Sequence, residues 1–258
     1  RRLDEDGYLF IRGFHDREQV LRARAEITGR LAEMGRLAPG TDPMDGILAD
    51  PKRGANFFGT NEENPEFLKV VNSPRVMGFF EKLLGGPVIT YDYKWLRAIP
   101  HGEATGSHYD IVYMGRGTPN LYTVWTPIGD TPIELGTLAV LEGSHRWDRV
   151  RETYGKLDVD RDRAEGWFST DAVEMVEKFG GIWATDDFQA GDAILFGMFL
   201  MHGSTANTTN RVRISCDTRY QLASEPVDER WIGKKPKGHI PLPPEKKMLE
   251  ARKEWGLL

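Results

Sequence analysis

The sequence predicts a mainly β protein of the jelly-roll kind, with helices flanking the strands. Three observations carry that reading. Helical periodicity lies before Gly86, apart from a short polar helix expected in the tail at "EKKMLEARKEW". After it, "VITYDYKWLRAI", "GSHYDIVYM", "NLYTVWTPI", "LGTLAVLEGSH", "AILFGMFLMHGS" and "RVRISCDTRYQL" are short runs rich in β-branched and aromatic residues. Turn chemistry separates them, as "PHGEATG", "RGTP", "GDTPIELG", "QAGD" and "NTTN".

Taken in order, "DEDGYLFIRGF" (4–14) reads as a short strand. The segment 16–34 follows as a helix, with Val20, Leu21, Ile27 and Leu31 on its apolar face and Asp16 as its cap. Residues 35–65, rich in Gly, Pro, Asn and Asp, read as an irregular connection. A second helix over 73–85 has Ser73 as N-cap, Pro74 in its first turn and a glycine stop. The apolar run "AILFGMFLM" (193–201) is expected to be one buried strand. Residues 146–170 interrupt the strands with charge, as a surface loop or as a lid carrying Arg146, Trp147 and Trp167. The division expected is a single domain over 1–226, helical over 1–86 with a jelly-roll core over 87–222, and a C-terminal arm over 227–258.

Composition narrows the function. Of 258 residues, 40% are hydrophobic and 28% charged, as in ordinary globular proteins, and no apolar run reaches the length of a membrane span. A net charge of −5 speaks against a general nucleic-acid binder, though not against a small anionic substrate met by a local basic pocket. Cys216 is the one cysteine, which excludes an intrachain disulfide and a cysteine zinc site and fits a cytoplasmic setting. A small-molecule substrate is expected, with no nucleic-acid or membrane partner; oligomeric state is not legible.

The chemistry is carried by a few polar residues. If "GSHYDIVYM" is a strand, His108 and Asp110 project from one face and Tyr109 from the other. His202 ends the most apolar run of the chain, so two histidines and one carboxylate are available for a metal, the set that leaves open positions on iron(II). Zinc hydrolases use similar sets. In "RVRIS", Arg213 and Ser215 share a strand face and can converge on one carboxylate; Arg211 and Arg219 have the same parity and compete for that role.

The order His-x-Asp, "VLEGSH", "GDAILFGMFLMHGSTANTTN", Arg-x-Ser resembles the phytanoyl-CoA dioxygenase family of iron(II)/2-oxoglutarate oxygenases, from about Asp4 to Leu222. The resemblance implies a double-stranded β-helix (cupin-like) barrel with the N-terminal helices packed on one sheet. It implies His108, Asp110 and His202 as iron ligands and Arg213 as the 2-oxoglutarate arginine. Ser215, Ser204 and Trp125 match positions that assist the co-substrate. The activity implied is hydroxylation of a C–H bond, with 2-oxoglutarate and O2 converted to succinate and CO2. Competing readings are a cupin-type isomerase, epimerase or hydrolase, or a silent ligand-binding relative. The stretch "WLRAIPHGEATGSHYD" departs from the family pattern: Arg97 stands where a lysine is usual and Tyr109 where a glutamine is. An acyl-CoA substrate is therefore not carried over. Lys94, Arg97 and His101 are the substrate contacts expected near the metal pair, His145 is expected to be structural, and His15 and His239 carry no functional reading.

Overall fold

Two antiparallel sheets face each other across an apolar layer. The computed structural model describes residues 2–53, 64–240 and 242–258. The part of the expected irregular connection at 54–63 lies outside the described residues.

The larger sheet has six strands. β1 (Tyr8–Ile11) pairs with β7 (Ala193–Gly197), which pairs with β4 (Tyr122–Pro127), which pairs with β9 (Arg213–Leu222). β2 (Val88–Thr90) and β3 (Trp95–Ile99) both pair with β9. The smaller sheet is β6 (Trp183–Ala184), β5 (Leu138–Leu141) and β8 (His202–Ser204). Trp125, Ile194 and Phe196 from the first sheet meet Leu138 and Val140 from the second in one apolar layer between them.

The N-terminal helices form where their caps and periodicity direct. α1 (Arg2–Asp6) leads into β1. α2 (Arg17–Glu33) starts at Asp16, whose carboxylate accepts from the Gln19 amide. α3 (Pro65–Val71) opens on a proline. α4 (Pro74–Leu84) is capped by Ser73 and stopped by Gly85 in the left-handed region at φ 77°. Val20, Ala23 and Ile27 of α2 and Phe67 and Val70 of α3 pack on Leu96, Ala98, Ile214 and Cys216. Phe80 of α4 stacks on Tyr220 with ring centroids 4.3 Å apart. The even-numbered residues of β9 thus face the helices, and the odd-numbered ones face the other way.

A second body of packing lies at the other end. α6 (Asp148–Glu152) and the rest of the 146–170 segment bury Val150, Tyr154, Leu157, Ala164 and Phe168 in the largest core cluster. α7 (Ala172–Phe179) and α8 (Met248–Glu254) close over it, and Arg252 grips Glu174 through two nitrogens at 2.8 and 2.9 Å. The Ser107–Ser169 bridge ties the segment to the chain just before His108.

Four expectations about local structure are corrected. "VITYDYKWLRAI" is two strands, β2 and β3, both paired with β9, and residues 4–6 of "DEDGYLFIRGF" belong to α1 rather than to a strand. "GSHYDIVYM" is not one strand: only Ser107 and His108 make bridges, and Ile111–Met114 forms a short helix, α5. Burial of Ile111, Val112 and Met114 in the largest cluster outweighs their β propensity. "AILFGMFLM" is likewise not one strand. A turn with the Leu200 amide on the Gly197 carbonyl, 3.2 Å apart, sends the chain from β7 in one sheet to β8 in the other. Met198, Leu200 and Met201 are buried on either reading, so the apolar run conceals the turn.

Candidate metal centre

His108 and His202 are brought together by backbone, not by side-chain alternation. The His108 amide donates to the His202 carbonyl at 2.9 Å and the reciprocal bond is 3.1 Å, which sets the two rings 4.2 Å apart. Asp110 follows in helical conformation (φ −64°, ψ −28°) at the N-cap of α5, which turns its carboxylate back toward both rings. Its Oδ1 lies 3.9 Å from His108 Nε2 and 3.8 Å from His202 Nε2. All three side chains are buried.

Each imidazole is fixed in one tautomer. Nδ1 of His108 lies 2.8 Å from the Gly106 carbonyl and Nδ1 of His202 2.9 Å from that of Leu200. A carbonyl only accepts, so both Nδ1 atoms carry the proton and both Nε2 atoms present lone pairs toward Asp110 Oδ1. Burial, reinforced by His202, pushes the His108 imidazole down to about 3, so it is neutral at physiological pH. Burial alone would raise Asp110, but Arg219, His202 and His108 hold it well below the usual carboxylate range. Thr123 Oγ1 donates to Asp110 Oδ2, and Arg219 Nη2 lies 3.1 Å from Oδ2 and 3.2 Å from Oδ1. Thr123 and Arg219 are themselves opposite each other in the β4–β9 register.

Two neutral nitrogens and one carboxylate, each supported from behind, are a donor set suited to a divalent first-row metal with open positions. The adjoining pocket is lined by Arg97, Trp125, Leu138, Ser204, Arg213, Asp217 and Arg219 besides His108, Asp110 and His202. Three arginines against two aspartates leave it with an excess of positive charge. Arg213 is buried, its Nη1 donates to the Gly136 carbonyl, and burial together with Arg97 pulls its guanidinium down to about 10, still charged at neutral pH. Arg213 Nε and Ser215 Oγ are buried without a hydrogen-bond partner among the described residues. Ser204 Oγ accepts from the Thr105 amide at 2.9 Å.

Of the residues named from the sequence, His108, Asp110, His202, Arg213, Ser204, Trp125 and Arg97 all reach this pocket; Ser215 lies beside it on the same face of β9. Arg97 pairs with Asp217 at 3.2 Å. Lys94 does not line it: its ammonium is buried, donates to Thr90 Oγ1 and the Tyr91 carbonyl, and is pulled down to about 8 by desolvation. His101 is exposed, with Nδ1 3.1 Å from the Thr209 carbonyl. Arg211 binds the Asp45 carbonyl outside the pocket. Sequence reasoning missed Thr123 and the pairing of Arg219 with Asp110; the shared parity of Arg213 and Arg219 was the available signal. It also missed a larger cleft of about 520 Å³ lined by Tyr113, Val159, Asp160, Ala164, Trp167, His239, Ile240 and Leu242, among others. Tyr113 stands between the two sites, with its ring 5.4 Å from that of His108.

Comparison with known proteins agrees with this arrangement. Residues 3–215 match the family model described as phytanoyl-CoA dioxygenase (PhyH). The 1-deoxypentalenic acid 11-beta-hydroxylase of Streptomyces exfoliatus is 30% identical over 241 residues, covering 86% of this chain and 79% of that protein. The ectoine dioxygenase of Stutzerimonas stutzeri is 23% identical over 248 residues, covering 92% and 80%. The crystal structure of the epimerase SnoN in complex with Fe3+, alpha ketoglutarate and nogalamycin RO superposes with a TM-score of 0.62 at 20% identity, covering 95% of this chain and 94% of that one. At that identity the likeness concerns the fold. The match over most of the chain, with a His-Asp-His cluster at its centre, shows that the chain belongs to the phytanoyl-CoA dioxygenase family of oxygenases.

Proposed function

We propose that the chain hydroxylates a C–H bond of a small molecule, holding iron(II) through His108, Asp110 and His202 and 2-oxoglutarate in the arginine-lined pocket. The observation that carries this is the aim of Asp110 Oδ1 and two bare Nε2 atoms at one point, beside a pocket with an excess of positive charge. When bound, the iron and its co-substrate supply the oxidising power: O2 and 2-oxoglutarate are consumed, and succinate and CO2 are released with the hydroxylated product.

The chain's own residues bind, orient and keep water out. Arg213 Nε and Ser215 Oγ are donors without a partner among the described residues, on one face of β9, suited to a carboxylate that enters from the pocket. Leucine would offer nothing there, and lysine lacks the planar fork. Trp125, buried and packed edge-on to Phe188, and Leu138 keep the pocket wall apolar. Ser204, fixed by the Thr105 amide, borders the same space.

The larger cleft is the route for the prime substrate. A volume of about 520 Å³ suits a drug-sized molecule, and Val159, Ala164, Trp167, Ile240 and Leu242 favour an apolar body. Its carboxylates are already engaged: Asp160 by Arg230 and His239, and Glu165 by Lys247. A largely apolar molecule fits these walls better than a densely charged one. The one cysteine is a buried free thiol pushed up by burial, in keeping with a cytoplasmic setting, and no helix among the described residues is long and apolar enough to cross a membrane.

The test is succinate formation from 2-oxoglutarate with iron(II), ascorbate and O2, for wild type and His202→Ala. Succinate from the wild type alone supports the reading. The absence of both succinate and an anaerobic visible band on mixing iron(II) and 2-oxoglutarate with the wild type would refute it.

A further inference from the structure

The fully buried tyrosines spend their hydroxyls on the protein. Tyr109 donates to the Ser144 carbonyl at 2.7 Å, Tyr154 to that of Gly166, and Tyr220 to that of Val71 at 2.6 Å, while Tyr91 accepts from the Asp228 amide at 3.4 Å. Buried phenols usually find such partners. Tyr113 differs: its side chain lines the larger cleft, and its hydroxyl makes no hydrogen bond among the described residues.

The ring is nevertheless held in place. The Tyr113 amide donates to the Asp110 carbonyl at 3.0 Å, and the Tyr113 carbonyl accepts from Arg230 Nη2 at 2.9 Å. The ring meets that of His108 edge-on at 5.4 Å and that of His239 at 5.7 Å. It also rests on Gly166, where a Cβ would come within 2.5 Å of the Tyr113 Cζ. A donor fixed in this way loses little freedom when it is used.

The charges of the cleft are already committed. Asp160 is held by Arg230 and by His239 Nδ1 at 3.2 Å, and Glu165 by Lys247 at 2.6 Å and the Met248 amide at 2.9 Å. No lysine or arginine is among the described residues that line the cleft. A charged ligand would find no free counter-charge there, and burying it unpaired is costly. The polar groups left over are neutral: the Tyr113 hydroxyl, Trp167 Nε1 and Thr170 Oγ1, none of them hydrogen-bonded among the described residues. Of these three, Tyr113 is in ring contact with His108.

We propose that Tyr113 is a specificity-determining residue, whose hydroxyl donates to a carbonyl or ether oxygen of the prime substrate, and that this substrate is an uncharged, largely apolar molecule. The inference rests on the reading of the larger cleft as the substrate route. Seated on this donor, the substrate has its oxygen pinned beside His108, and a neighbouring C–H bond of the same skeleton is left facing the metal centre.

The experiment compares wild type with Tyr113→Phe in the anaerobic iron(II) and 2-oxoglutarate form. The probes are camphor and adamantanone, each beside the hydrocarbon of the same skeleton, camphane and adamantane, with binding read by equilibrium partitioning from the vapour. Tyr113→Phe is expected to bind each ketone roughly three- to tenfold more weakly and each hydrocarbon as wild type does, the margin of one hydrogen bond. It is also expected to melt with the wild type, because no bond within the protein is lost. Unchanged ketone affinity overturns the proposal. An equal loss for ketone and hydrocarbon overturns it too, since that is the signature of ring packing. So does a lowered melting temperature, which a structural hydroxyl would give, or a wild type that takes up neither ketone. Succinate and the anaerobic band of the wild type test the parent reading separately, so their presence without a Tyr113-dependent ketone margin fells this inference alone.

Discussion

Gly203 sits between His202 and Ser204 where two backbones nearly touch, and replacing it with alanine should damage the metal centre while sparing the fold. A Cβ there would come within 2.7 Å of the Thr105 carbonyl oxygen, a backbone atom that cannot rotate away. An ordinary C···O contact needs about 3.3 Å, so the 105–108 segment has to retreat by about 0.6 Å. That segment carries His108, and its register with β8 depends on the paired amide bonds of 2.9 and 3.1 Å between His108 and His202. Metal–ligand distances tolerate only about 0.2 Å, and disturbing the support of a ligand typically costs 10–100-fold in metal affinity. Gly203→Ala should therefore lose on the order of 10–100-fold in iron(II) affinity, measured by anaerobic titration beside a thermal melt. Gly197→Ala is the control: it lies on the neighbouring apolar run, and nothing stands within 4 Å of its Cβ. If both alanine variants bind metal alike, the close approach of the two backbones does not set the geometry of the centre, and the reasoning fails.

Three further outcomes are expected. Arg213→Lys should weaken 2-oxoglutarate binding by roughly tenfold or more in the same titration while iron binding follows wild type, because the fork is lost and the charge kept. His15 is buried with Nε2 2.9 Å from Thr126 Oγ1, and burial, with Arg75, lowers it from 6.5 to about 4. Between those values the unfolded chain takes up a proton that the folded one does not. Stability then falls as pH drops through that window, by about 3 kcal/mol in all, and His15→Gln should flatten the melting profile between pH 6.5 and 4. Glu174→Gln should loosen α8 by removing the charge that Arg252 grips with two bonds, at a cost of about 2–3 kcal/mol, seen as faster proteolytic trimming from the C-terminus.

Much of the site was legible in the sequence, though partly for the wrong reason. His108 and Asp110 do share a centre, but alternation along a strand does not put them there. His108 is extended and bridged to β8, while Asp110 has already turned into α5. Two residues apart, either route can bring side chains to one place, so the pairing survived an incorrect secondary structure. The caps at Asp16, Ser73 and Gly85 were readable because each is a local hydrogen bond or backbone conformation. The turn after β7 was not, since Met198–Met201 are apolar whichever sheet they serve. The arginines of β9 had identical parity, and only tertiary structure shows Arg219 beside Asp110, Arg213 beside Gly136 and Arg211 outside on the Asp45 carbonyl.

β9 explains why the fold and the chemistry are difficult to change separately. Its even residues Ile214, Cys216 and Tyr220 seal the sheet against α2, α3 and α4, while Arg213, Asp217 and Arg219 of the odd set line the pocket, with Ser215 alongside. A slip of one residue in its pairing would send every arginine into the helices and every apolar side chain into the pocket. The register is held from both sides, by β4 through Trp125 opposite Asp217 and by β3 through Arg97 opposite Ser215. Two of the residues that hold it, Trp125 and Arg97, also border the pocket. Substitutions at even positions should therefore register first as lost stability, and at odd positions as lost ligand binding in a protein that still melts cooperatively.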